Sequence, residues 1–194
     1  QAQARGVNIC FEHEETSLAV GQEADLVVAA DGASSTIRSL LAAKITTTIH
    51  KGSNRFVWLE TDKVFSAFNF CFKENKHGLW CIHAYQYAPD RSTIIVECSE
   101  ATWLSSEMNS ATEAETKVYL EQLFAQELSG HKLLANWGTW QQFSTICTTP
   151  WSSGQFVLLG DAAHTTHFSI GSGTSMAMDD ALALCNALSS ASQV

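Results

Sequence analysis

A chain of 194 residues, 45% hydrophobic and 16% charged, has the composition of one large or two small globular domains and can bury a substantial core. A formal charge of −9 and a pI near 5.1 argue against nucleic acid or an anionic membrane surface as its partner. No run of 18 apolar residues occurs and the opening residues lack the pattern of a secretory leader, so no membrane span and a cytoplasmic setting are expected.

In chain order, "VNICFEH" (7–13) reads as a first strand and "ADLVVAADG" (24–32) as a second. The run Leu26 to Ala30 is short, apolar and β-branched, and Asp31-Gly32 closes it, which suits a buried strand. Residues 34–43 read as helix. Four strand-like runs follow, "RFVWLET", "VFSAFNFCFK", "GLWCIHAYQY" and "STIIVEC", separated by "DK", "ENKHG" and "APDR". Phe68, Phe70 and Phe72 share one face at period two, with Ala67, Asn69 and Cys71 on the other. Short polar links join antiparallel neighbours, so these runs are expected to form a meander. A helix comes next, with Ser110 and Glu113 as its capping box, Ala114, Val118 and Phe124 on its apolar stripe, and Gly130 just past its end. "GQFVLLGD" (154–161) is another buried strand, and helix is expected from about Thr174 onward.

The fold class expected from this order is α/β (α+β). A nucleotide-binding domain, residues 1–44 and 151–194, is interrupted by an antiparallel sheet domain over residues 45–150. The six cysteines (10, 71, 81, 98, 147 and 185) contain no C-x-x-C pair and are expected to be reduced.

Two turns carry the chemistry. In "GDAAHTTHFSIGSGT" a carboxylate, Asp161, ends a buried strand, a place poor for packing but good for accepting hydrogen bonds from a ligand hydroxyl. Gly171 and Gly173 remove side chains where a flat ring might lie on the backbone. The helix that follows aims free N–H groups and a positive dipole end at that place, which would steady a ring that becomes anionic on reduction. An ordinary strand–turn–helix gives the same letters. A metal reading needs Asp161, His164 and His167 together, but the glycines put the helix later and no fourth ligand stands nearby, so no metal is expected. In the other turn, "ADGASSTIRS", Ser35 and Arg38 follow Asp31-Gly32. The arginine could grip a diphosphate or pair with Asp31; an N-capped helix with one surface arginine reads equally well.

Taken together, D-G-x-x-S-x-x-R and an apolar strand into G-D-A-A-H, with a sheet between them, resemble two fingerprints of the FAD-dependent aromatic hydroxylases (class A flavoprotein monooxygenases). "NRFVWLETDKVFSAFNFCFKENKHGLWCIHAYQY", "IIVECSEATW" and "HFSIGSGT" are most similar to the salicylyl-CoA 5-hydroxylase and 2-aminobenzoyl-CoA monooxygenase branch. The resemblance implies FAD as cofactor, NADPH or NADH as reductant, O2 as co-substrate and a small aromatic substrate, possibly a CoA thioester, hydroxylated through a flavin C4a-hydroperoxide. Gly160 and Asp161 would bind the ribityl and diphosphate part of FAD. The backbone of Ser169, Ile170, Gly171, Ser172, Gly173 and Thr174 would lie along the isoalloxazine. Asp31, Gly32 and Arg38 would serve the diphosphate region and NAD(P)H docking. His83, Tyr85, Phe70 and His167 are the candidates for the wall facing the substrate.

Two departures stand out. Many relatives carry proline after the G-D-A-A-H histidine where this chain has Thr165, a feature that the CoA-ester branch shares. No G-x-G-x-x-G occurs, which makes the chain read as an internal fragment lacking the first βαβ unit. Such a fragment is expected to bind FAD weakly or not at all and to self-associate through an exposed sheet edge. Lys51, Arg55, Lys73 and Lys76 are the one cluster available to dock a CoA. Alternative readings are a hydroxylase of another aromatic, such as an indole or tryptophan derivative, and a non-catalytic interaction domain that has lost FAD.

Overall fold

The computed structural model describes residues 1–191, with backbone only at 135–138. Its elements are β1 (Val27–Ala29), α1 (Thr36–Leu40), β2 (Thr46–Lys51), β3 (Arg55–Thr61), β4 (Asn69–Asn75), β5 (Gly78–Ala88), β6 (Arg91–Cys98), α2 (Glu100–Ser105), α3 (Glu113–Leu123), α4 (Ala125–Leu128), β7 (Leu133–Gln141), β8 (Ser144–Thr149), β9 (Ser152–Ser153), β10 (Phe156–Leu158) and α5 (Gly173–Ala191). The chain divides into two compact units, Gln1–Ile49 with Ile146–Val194, and His50–Thr145. Of the final segment expected to belong to the first of these, residues 192–194 lie outside the described residues. Among the described residues no helix is long and apolar enough to cross a membrane.

In the first unit β1 and β10 pair in parallel, Val27 with Phe156 and Ala29 with Leu158, and β9 adds antiparallel to β10. Both parallel strands are apolar because their inner faces pack on α1 and the segment after it: Ala29, Ile37, Leu41, Ile45, Phe156, Leu158 and Ala163 form one buried cluster. The expected first strand, residues 7–13, is not one. Val7, Ile9 and Phe11 are all exposed, and among the described residues no strand pairs with that segment. Alternation alone does not make a strand when no neighbour offers its backbone.

In the second unit β4-β5-β6-β3-β7 form an antiparallel sheet. One face packs on the helices, with Val57, Leu59, Trp80, Ile82, Ile94 and Val96 buried against Leu120, Phe124 and Leu128. The meander holds for β4, β5 and β6, but β3 is not beside β4; it lies between β6 and β7. The connection runs from Asp62 to Phe68, and at roughly 3.3 Å per residue it reaches past three strand spacings of about 4.8 Å. Phe65 pins it, with its ring in the core and its N–H donating to Ser92 Oγ at 3.0 Å. The helix start also differs. Thr112 is the N-cap and forms the capping box with Glu115, and the buried face is Thr116, Leu120 and Phe124. Ala114 and Val118 lie about 200° around the helix from Thr116 and Leu120, and both are exposed.

All six cysteines are free. Burial pushes the Cys98 thiol up to about 12 and the Cys81 thiol up to about 11, with Glu97 adding to both.

Candidate functional site

The two turns lie side by side because β1 and β10 are parallel neighbours and both run into them; Leu159 N–H extends the ladder by donating to Ala29 O at 3.0 Å. In the first turn Gly32 has φ +81°, a conformation that favours glycine. Ser35 caps α1, accepting from Arg38 N–H at 2.9 Å while its hydroxyl donates to Asp31 Oδ1 at 2.6 Å. Asp31 also accepts from Ile37 N–H at 3.2 Å, so its carboxylate is held over the start of α1. Arg38 is 7% exposed; Nη1 donates to Ala162 O at 2.8 Å and Nη2 to Ala33 O at 2.5 Å. The sequence offered Arg38 as a diphosphate ligand or as the partner of Asp31; the structure makes it a buried brace from one turn to the other, through carbonyls.

The second turn is held from four sides. Arg38 takes Ala162 O. Thr148 N–H of β8 donates to Ala163 O at 3.1 Å, and Thr165 N–H donates to Ile146 O at 3.1 Å. Proline at 165 could not make that last bond. On the α5 side, Asp180 Oδ2 accepts from Gly160 N–H at 2.9 Å and lies 2.8 Å from His164 Nε2. The His164 ring stacks on Trp151 at 4.8 Å. Gly160 has φ +57°, and a Cβ there would meet Ala177 Cβ at 3.1 Å, so a side chain would press on α5. Amid buried Gly160, Ala162 and Ala163, Asp161 is exposed. The turn is thus a rigid mount that presents one carboxylate.

The loop that follows is open. Ser169, Ile170, Gly171 and Thr174 are exposed, with Ser172 and Gly173 half-buried, and Gly171 has φ +68° with nothing near its absent side chain. α5 then starts at Gly173. His167 caps the short turn before it, with Nδ1 2.8 Å from Ser169 Oγ. His164 and His167 therefore face different partners, and among the described residues no group of three His, Cys, Asp or Glu is arranged to hold a metal.

Three of the four wall candidates share one face of β4 and β5 in the second unit. Phe70 and His83 are cross-strand partners with ring centroids 4.7 Å apart, and Tyr85 stacks on Phe68 at 5.2 Å. Phe68, Phe70 and Phe72 are exposed, whereas His83 is buried with Nε2 3.3 Å from Glu97 Oε2. His167 belongs to the first unit. The cluster expected to dock a CoA is not free as a set: Arg55 bonds Glu100 at 2.5 Å and lies over Trp103, and Lys73 pairs with Glu127 at 3.0 Å.

A family described as "FAD binding domain" matches residues 2–193. The chain belongs to this FAD-binding family. Within it, the chain is 39% identical to a salicyloyl-CoA 5-hydroxylase from a Streptomyces species, over all of this chain and 39% of that protein. It is 43% identical to a 3-hydroxy-4-methyl-anthranilyl-[aryl-carrier protein] 5-monooxygenase of Streptosporangium sibiricum, over 95% of this chain and 48% of that protein. A protodeoxyviolaceinate monooxygenase of Chromobacterium violaceum is 34% identical, over 97% of this chain and 51% of that one. The chain thus spans about half or less of these relatives. Among solved structures, aklavinone-11 hydroxylase in a ternary complex with FAD and aklavinone superposes with a TM-score of 0.62 at 20% identity, over 87% of this chain and 31% of that one. PqsL from Pseudomonas aeruginosa gives 0.61 at 19%, over 87% and 47%. Those two likenesses establish the fold, the α/β (α+β) class expected from the element order.

The residues present fit a flavin. Asp161 is an exposed carboxylate that could accept hydrogen bonds from ligand hydroxyls, and Ser169, Ile170 and Gly171 are exposed, with open space at Gly171. Sequence reasoning passed over Asp180, because "MDDAL" inside a helix gives no sign that one of the two aspartates turns back to the Gly-Asp turn.

Proposed function

We propose that the chain is part of a FAD- and NAD(P)H-dependent monooxygenase that hydroxylates an aromatic ring carried as a thioester. The observation that carries this reading is identity of 39% and 43%, over nearly the whole chain, to relatives named for aryl-CoA and aryl-carrier-protein substrates. When bound, FAD would supply the redox chemistry that consumes NADPH or NADH to activate O2, with one oxygen atom going to the ring and the other to water. The protein binds, orients and excludes water. In this reading Gly160 and Asp161 accept the ribityl and diphosphate part, and residues 169–174 line the isoalloxazine. Asp31 and Gly32 serve the diphosphate side and NAD(P)H docking, and Arg38 serves them through the turn it braces. Residues 45–150 form the substrate domain, with Phe70, His83 and Tyr85 on its aromatic face.

A second reading, oxidation of an indole-derived substrate, draws on the 34% identity to the protodeoxyviolaceinate monooxygenase. The free edge of β1 suits self-association, and a cytoplasmic setting goes with the reduced cysteines.

Titration of the purified chain with FAD, followed by quenching of flavin fluorescence, tests the flavin assignment. The expected result is weak, saturable binding that Asp161→Ala weakens at least about tenfold, since a charge-assisted hydrogen bond is lost. Saturable binding unchanged by Asp161→Ala overturns the assignment of these turns.

A further inference from the structure

α5 runs 19 residues and buries none of them. Met178, Leu182 and Leu188 are exposed. Two contacts on one face join the helix to the Gly-Asp turn. Ala177 packs against the bare Cα of Gly160, and one turn further on Asp180 reaches the same glycine. A single oxygen, Oδ2, accepts from Gly160 N–H at 2.9 Å and meets His164 Nε2 at 2.8 Å. Asp180 and His164 keep side-chain exposures of only 11% and 14%, so water competes little for these bonds. The two groups it gathers flank Asp161 in the chain.

We propose that Asp180 is a positioning residue for the cofactor turn. By drawing Gly160 N–H and His164 to one point, it sets the direction in which Asp161 is presented and couples that direction to the placement of α5. Gly160 has φ +57° with its N–H engaged on the α5 side. Released, the turn loses the bond that aims its carboxylate, although Arg38 and β8 still hold Ala162 and Ala163. The effect on FAD rests on the flavin reading of the turn; the clasp itself does not.

The test compares the wild-type chain with Asp180→Ala, Asp180→Asn and the exposed neighbour Asp179→Ala. Two quantities are read: hydrogen exchange of the Gly160 amide by NMR, and FAD affinity by fluorescence. Asparagine keeps an acceptor oxygen, so Asp180→Asn is expected to retain most of the Gly160 protection, as is Asp179→Ala. Asp180→Ala is expected to speed Gly160 exchange at least about tenfold and to weaken FAD at least about tenfold. Protections of Leu120 and Ile94 in the other unit are expected to stay unchanged in all three variants, which separates a local release from unfolding. Unchanged Gly160 exchange in Asp180→Ala overturns the clasp. Faster exchange with unchanged FAD affinity overturns the coupling to the cofactor. A wild-type chain that binds no FAD while Asp180→Ala releases Gly160 overturns the coupling to the cofactor in this chain and leaves the clasp standing.

Discussion

At Asp31 opposing effects act on one carboxyl. Burial works to raise its pKa, but the Ser35 hydroxyl and the backbone N–H of Ile37 outweigh it and hold the group below its ordinary 3.8. A folded-state pKa below the unfolded one contributes stability above the unfolded value, and that contribution is lost as pH falls through the folded pKa. Melting temperature measured against pH is therefore expected to show wild type ahead of Asp31→Asn by a constant margin at neutral pH. That margin should shrink below about pH 3.8. Parallel curves down to pH 2 would mean the capping bonds do not depend on its ionisation. At this scale the sequence was readable where a residue's local geometry decides its role. Asp31, Gly32, Gly160 and Asp161 follow from turn grammar, because a strand end followed by Gly and Asp leaves few conformations. Arg38 was not readable, since a guanidinium takes phosphate, carboxylate or carbonyl oxygen alike, and its partner Ala162 lies far along the chain. Asp180 was hidden for the same reason.

Among the elements, α3 owes its start to Thr112, whose hydroxyl accepts from Glu115 N–H while Glu115 bonds back to Thr112 N–H at 2.8 Å. Replacing Thr112 by Ala is expected to cost about 1 kcal/mol, read as a lower urea midpoint with unchanged slope. Ser110→Ala, at the cap that the sequence suggested, is expected to cost less than half of that. Equal losses would mean the helix starts earlier than described. S-x-x-E at Ser110 is the box expected from the sequence; the helix instead uses T-x-x-E at Thr112, the start that goes with burial of Thr116, Leu120 and Phe124. Strand content in β3 to β6 and the alternation of Phe70 and Phe72 with Cys71 were legible because period two survives in a one-sided sheet. The order of those strands was not, because a link's written length understates its reach when hydrophobic residues such as Phe65 lie within it.

For the whole molecule, the edge of the β1-β10-β9 sheet sets how copies could meet. Among the described residues β1 has a partner on one side only, Val28 is exposed, and a groove of about 640 Å³ runs along it beside His13, Glu14 and Glu15. An unpaired, apolar, β-branched edge recruits another strand. Sedimentation velocity across a concentration series is expected to show a reversible dimer that Val28→Lys suppresses. A monomer at every concentration would remove the edge as an interface. A further consequence follows from where the chain crosses between units. It leaves the first within β2 and returns within β8, and those strands are hydrogen-bonded neighbours, with Gly52 N–H donating to Phe143 O at 2.9 Å just beyond. The inserted sheet is therefore a cassette whose two ends sit one strand spacing apart, about 4.8 Å. Lineages, or engineers, can exchange such a cassette for another with the same end spacing without redrawing the two turns of the first unit.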